Sequence, residues 1–113
     1  MEFPLELRMA IEQKAQGFST AELMREAQEL SRRYREEGGQ GKRLSTTDRQ
    51  ALAYAAVRMP ATFGAAAAAL ERTLPLLETV PTTLLDVGAG TGAAAWAASS
   101  LLFLESVICL ERE

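Results

Sequence analysis

Apolar residues along the chain change their period twice, and each change marks a different element. Leu5, Leu7, Met9, Ala10 and Ile11 are unevenly spaced, which fits one short helix over residues 5–15 better than a strand, with Gly17 closing it. Leu23, Ala27, Leu30 and Tyr34 then recur at i, i+4, i+7 and i+11, the spacing of one helix face, and predict a helix from Thr20 to about Glu37. Ser19 stands three residues before Glu22, the capping-box spacing in which each side chain satisfies a backbone N–H at a helix start, and Gly38-Gly39 ends the segment.

Gly38-Gly39-Gln40-Gly41-Lys42-Arg43 reads as a flexible linker, with three glycines and two positive charges. A further helix is expected from a cap at Thr46 or Thr47, through Leu52, Ala55, Ala56 and Met59, to a stop at Pro60. Pro60 is also suited to the first position of the next helix, which contains Gly64 and the run Ala65 to Ala69. Alanine is the best helix former and its small side chain allows close packing, so this run reads as a packed structural helix that Pro75 kinks or ends.

After Pro81 the helical period gives way to short apolar runs. Thr83 to Val87 is expected as a buried parallel strand, residues 92–102 as a helix, and Val107-Ile108-Cys109-Leu110 as a second strand. Strand, turn, helix and strand together have the size of one βαβ unit, about 30 residues. A complete doubly wound sheet needs several such units, so the chain of 113 residues reads as the front end of a longer protein. Two parallel strands leave open edges, and self-association is expected from them.

Composition narrows the chemistry. The 48% apolar content is that of a globular domain, and the net charge is −3. Residues 1–50 carry nine basic and nine acidic side chains and residues 51–113 three and six, so neither half has the positive excess of a dedicated nucleic-acid binder. The chain has no histidine, which removes Ser-His-Asp and Cys-His nucleophile systems and His-containing zinc motifs, and no metal site is expected. Its one cysteine, Cys109, permits no internal disulfide and is expected in the core of its strand. No apolar run is long enough for a membrane span and the N-terminus has no signal-peptide pattern, so a cytoplasmic protein without a membrane partner is expected.

The chemistry concentrates in Leu84-Leu85-Asp86-Val87-Gly88-Ala89-Gly90-Thr91-Gly92, an apolar strand that enters a glycine turn and then a helix. Three readings compete: a tight connection without a ligand, a dinucleotide site of the form G-x-G-x-x-A ending at Ala93, and an S-adenosylmethionine site. Asp86 favours the third. An anion about 4 Å from a pyrophosphate is repelled by roughly 4 kcal/mol at an effective dielectric near 20, whereas a sulfonium and ammonium ligand is attracted. Glu111 stands at the end of the second strand, 19 residues after Gly92, where an acidic side chain accepts hydrogen bonds from ribose hydroxyls. The helix after the turn presents N–H groups and a positive dipole end to a carboxylate.

Arg58-Met59-Pro60-Ala61-Thr62-Phe63, followed by the glycine motif and by Ala95-Trp96-Ala97, resembles the methyltransferase-like proteins associated with the small ribosomal subunit, a family with bacterial members and mitochondrial relatives. Leu30-Ser31-Arg32-Arg33-Tyr34-Arg35 and Tyr54 are similar to that family's helical N-terminal region. The resemblance implies an α/β protein: a helical N-terminal region over residues 1–81, then the start of a Rossmann-like class I methyltransferase domain over residues 82–113, truncated after its first βαβ unit. It implies S-adenosyl-L-methionine as cofactor, held by Asp86, Gly88, Ala89, Gly90, Thr91, Gly92 and Glu111, and rRNA or the small ribosomal subunit as partner. Some members hold an iron–sulfur cluster on downstream cysteines, and Cys109 alone supports none here.

Methyl transfer to rRNA, or a part in small-subunit assembly, is the leading expectation, with the segment by itself inactive. A non-catalytic assembly factor that keeps the cofactor fold is the alternative, and an NAD-dependent oxidoreductase a more distant one. Arg32, Arg33, Arg35, Lys42 and Arg43 around Tyr34 read either as a solvated helix face, offset by Glu29, Glu36 and Glu37, or as an RNA-backbone contact.

Overall fold

The computed structural model describes residues 1–38 and 47–113, which form two compact units. Most of the expected linker, together with Lys42, Arg43 and Thr46, lies outside the described residues.

One unit comprises Leu5–Met59 with Glu113. Its helices are α1 (Leu5–Lys14), α2 (Thr20–Glu37) and α3 (Asp48–Val57), with a 3-10 turn at Ala15–Gly17 after α1. Helix α2 starts as its sequence predicts: the Ser19 hydroxyl accepts the Glu22 N–H at 3.1 Å. The Glu22 carboxylate lies 3.6 Å from Arg49, and the guanidinium of Arg49 sits 5.5 Å from the Phe18 ring centroid. The full reciprocal box forms instead at α3, where Thr47 and Gln50 each accept the other's backbone N–H. Gly38 ends α2 at a negative φ, and glycine is needed there because a Cβ would collide with the Tyr34 carbonyl.

Leu23, Ala27 and Leu30 of α2 are buried as their spacing requires, and Leu23 and Ala27 meet Ala53 of α3 with Phe18, Leu52 and Val57 around them. Tyr34, expected on the same face, is 48% exposed. Helix α3 also stops two residues short of the expected Met59, with Arg58 as its C-cap. Met59 already begins α4 (Met59–Thr73), which has Pro60 as its second residue. A missing N–H has no cost in the first turn, where no intrahelical acceptor exists.

The other unit joins Met1–Pro4 to Pro60–Arg112. It holds α4, a 3-10 turn at Leu74–Leu76 around Pro75, β1 (Thr83–Val87), α5 (Ala93–Leu101) and β2 (Ser106–Leu110). Phe63, Ala67 and Ala97 make its core, with Phe3, Ala66 and Leu70 packed around them. Phe3 meets Phe63 edge to face at 5.3 Å between centroids. The alanine run is helical, as read from the sequence, but packs through Ala66 and Ala67 alone, with Ala65, Ala68 and Ala69 exposed. Strands β1 and β2 pair in parallel, from Thr83 opposite Ser106 to Val87 opposite Leu110, and α5 is the crossover that packs on β1. The chain is thus a mixed helical and parallel-sheet protein with one βαβ unit.

Two further expectations about burial fail. Strand β1 alternates between exposed and half-buried positions, and every residue of β2 is exposed, Cys109 included. A strand is buried by layers on both faces. Here β2 has one neighbouring strand, and its apolar residues keep much of their surface in solvent, Ile108 56% and Leu110 52%.

Phe63, 1% exposed, and Phe103, 99% exposed, give a matched pair of truncations. Phe63→Ala is expected to lower unfolding stability by about 3 kcal/mol. Phe103→Ala should stay within about 0.5 kcal/mol of the parent. Urea titration checks both, and equal losses at the two positions would contradict the core described.

Candidate functional site

The turn between β1 and α5 is built by three glycines, each with a left-handed backbone: φ is +73° at Gly88, +57° at Gly90 and +86° at Gly92. No described non-glycine residue adopts positive φ. All three glycines are therefore required by the local backbone, more than the two that a plain bend needs. A Cβ added at Gly88 or Gly90 would meet nothing within 4 Å, so the turn has open space on its outer side. At Gly92 a Cβ would come 3.4 Å from Trp96 Cδ1 and 3.5 Å from Nε1, which places the half-exposed indole of α5 against the end of the turn.

The inner side of the turn is held by the end of β2. The N–H groups of Gly88 and Ala89 donate to the Leu110 carbonyl at 2.8 and 3.0 Å, and the Gly90 N–H donates to Glu111 Oε2 at 2.6 Å. Glu111 Oε1 accepts the Arg112 N–H at 3.1 Å. Gly92 N–H closes the turn on the Ala89 carbonyl at 2.9 Å, and α5 begins from Gly92 without a side-chain cap on its first N–H groups. The site residues read from the sequence therefore come together in space: Gly88 to Gly92 form one turn and Glu111 touches it. Leu110, which the sequence reading passed over, joins the site through its main-chain oxygen alone. Trp96 entered that reading only as part of a motif.

Asp86, the last residue but one of β1, lies on the more covered side of the strand, opposite Cys109 in the ladder. Its Oδ2 is shut off from solvent and has no hydrogen-bond partner, and the same holds for Thr91 Oγ1 in the turn. A desolvated carboxylate oxygen without a donor costs about 1–3 kcal/mol, which a donor or a cation from outside would recover. These are the two orphaned buried side-chain polar atoms among the described residues, one just before the glycine turn and one within it. Asp86 and Thr91 thus fit a ligand that brings hydrogen-bond donors or positive charge to them.

Arg32 and Arg33 pair with glutamates of their own helix α2. Arg32 bridges Glu29 and Glu36, and Arg33 lies 3.2 Å from Glu37. The hydrogen bond from Arg32 holds the Glu29 carboxyl below its usual 4.5, and Glu29 raises the guanidinium in turn. Pairs at i, i+3 and i, i+4 of this kind support the helix itself. Among the described residues no group of His, Cys, Asp or Glu is placed to hold a metal ion, and no helix is long and apolar enough to cross a membrane.

Fold and site together define a βαβ protein whose glycine turn is held by Glu111 and preceded by Asp86. Compared with known families, residues 48–112 match the model for mitochondrial small ribosomal subunit Rsm22. That stretch covers more than half of the chain and includes α3, α4 and the entire glycine site, and the chain belongs to this small-subunit family. No curated protein and no solved structure matches it.

Gly90→Ala is expected to cost about 1–2 kcal/mol of stability, because a Cβ fits in space but not at this φ. Gly64→Ala, in the middle of α4 with nothing within 4 Å, should gain about 1 kcal/mol. Unfolding curves of the two variants should move in opposite directions, and a shift of the same sign would contradict the turn geometry.

Proposed function

We propose that the protein is an S-adenosylmethionine-dependent methyltransferase of the small ribosomal subunit, with rRNA as its acceptor class. The observation that carries the reading is Asp86: a partnerless, desolvated carboxylate oxygen beside an open glycine turn calls for a cationic ligand group. A dinucleotide would set its pyrophosphate at the same turn, next to that anion, and like charges at such range repel. Membership of the Rsm22 family supports the small-subunit connection, since the family's description names that subunit.

In this reading Asp86 holds the ammonium end of the cofactor, the open faces of Gly88 and Gly90 admit its backbone, and Glu111 accepts from the ribose hydroxyls. The first turn of α5, with no side-chain cap, presents its N–H groups to the carboxylate. The bound sulfonium supplies an already activated methyl group. The contribution of these residues is then to align the cofactor's methyl group with its acceptor. A family member that keeps the same turn for assembly alone, without turnover, needs the same residues, so binding and turnover are measured separately.

Calorimetric titration should give binding of S-adenosylhomocysteine and none of NADH. Asp86→Asn should weaken S-adenosylhomocysteine at least about tenfold, the size of one charge-assisted hydrogen bond. NADH binding with no response to S-adenosylhomocysteine would overturn the cofactor. Incubation of small subunits with labelled S-adenosylmethionine then reads the activity: incorporated methyl supports the enzyme, and subunit association without incorporation replaces it with the assembly role.

A further inference from the structure

We propose that Trp96 is a specificity residue of the glycine turn: its indole N–H donates to the carboxylate at the ligand's amino-acid end, beside the uncapped start of α5. The inference rests on the S-adenosylmethionine reading and names the side chain that separates that cofactor from nucleosides without an amino-acid part.

Helix α5 opens Ala93-Ala94-Ala95-Trp96. Its first intrahelical bond runs from the Trp96 N–H to the Gly92 carbonyl at 2.8 Å, so the N–H groups of Ala93, Ala94 and Ala95 come before any helical acceptor. No side chain caps them, because glycine stands at the position where serine, threonine or aspartate would supply an oxygen. Three alanine methyl groups leave these amides uncovered, and they carry the positive end of the helix dipole. One residue before the cap, Thr91 Oγ1 is shut off from solvent and has no partner in the chain.

Trp96 adds a further donor to this end of the helix. Side chains on a helix lean towards its N-terminus, and Trp96 is the first in α5 large enough to reach back over the preceding turn. A Cβ at Gly92 would stand 3.4 Å from Cδ1 and 3.5 Å from Nε1, so the ring edge that carries the indole N–H faces the cap residue. The side chain is 43% exposed, which leaves it open to a ligand. An indole nitrogen is a donor only, and so is matched to an anion and to no cation. Asp86, before the turn, lacks a donor, whereas the start of α5 lacks an acceptor. The ammonium and carboxylate of an amino acid complete the two in opposite sense, and a neutral nucleoside completes neither.

The test titrates S-adenosylhomocysteine and methylthioadenosine into the protein and into Trp96→Phe and Trp96→Ala. Methylthioadenosine keeps the nucleoside and the thioether and has no amino-acid group. Phenylalanine keeps an aromatic ring at this position and loses the donor, so it serves where the alanine variant does not fold. In calorimetry the parent should bind S-adenosylhomocysteine at least about tenfold more tightly than methylthioadenosine. Trp96→Phe should lose about tenfold for S-adenosylhomocysteine, the scale of one hydrogen bond to a charged group, and keep its affinity for methylthioadenosine. Trp96 is the one tryptophan of the chain, and its emission should change more with S-adenosylhomocysteine than with methylthioadenosine. Unchanged affinity of Trp96→Phe for S-adenosylhomocysteine overturns the proposal and leaves the cofactor reading standing. An equal loss of both ligands gives the ring a structural part alone and overturns the proposal as well. Binding of neither ligand by the parent overturns the cofactor reading, and the inference with it.

Discussion

The parallel pairing of β1 with β2 is the constraint on which the site depends. Because Val87 lies opposite Leu110, the two strands end side by side, and the turn that starts at Gly88 passes over Leu110 and Glu111. A one-residue slip in this ladder would turn Asp86 to the other face and carry the Leu110 carbonyl away from the Gly88 and Ala89 amides. The register is fixed from both ends: the Glu105 N–H donates to the Thr82 carbonyl at 2.7 Å before the ladder begins, and the turn amides close on β2 after it. Between them α5 lies on β1 through a run in which Ala93, Ala95, Ala97 and Ala98 are buried, and side chains this small let helix and strand approach closely.

Much of this architecture was legible because it is written in local signals. The capping residues Ser19 and Thr47, the 3.6-residue spacing of Leu23, Ala27 and Leu30, and the apolar run between Pro81 and Gly88 each act within a few residues, and the elements start where they predict. The glycine turn was legible for the same reason, since alternate glycines after a strand have few uses other than a sharp turn of positive φ. What was not legible depends on partners. Tyr34 continues the apolar stripe of α2, yet α3 spans about 15 Å against about 27 Å for α2, at 1.5 Å per residue, and leaves the far end of that stripe uncovered. Cys109 has a core-like composition around it, but burial of a strand is decided by how many layers meet it, and composition carries no record of that. Leu110 contributes a backbone oxygen, which any residue in its place would supply, so no side-chain pattern could mark it.

The two carboxylates at the turn divide two tasks that one could not perform. Glu111 is satisfied from within the chain: its bonds to the Gly90 and Arg112 amides keep the turn in shape. Asp86 presents an oxygen that the fold has desolvated without giving it a donor. If Glu111 were as poorly satisfied as Asp86, the left-handed turn would lose a contact that holds it; if Asp86 were as well satisfied as Glu111, nothing at the strand end would distinguish a cationic ligand from a neutral one. A carboxylate that shapes and a carboxylate left wanting, set on either side of three glycines, make a site that is preorganised in its backbone and unfinished in its charge. In the proposed reading the ligand completes Asp86 with positive charge or donors and leaves the Gly90–Glu111 contact in place.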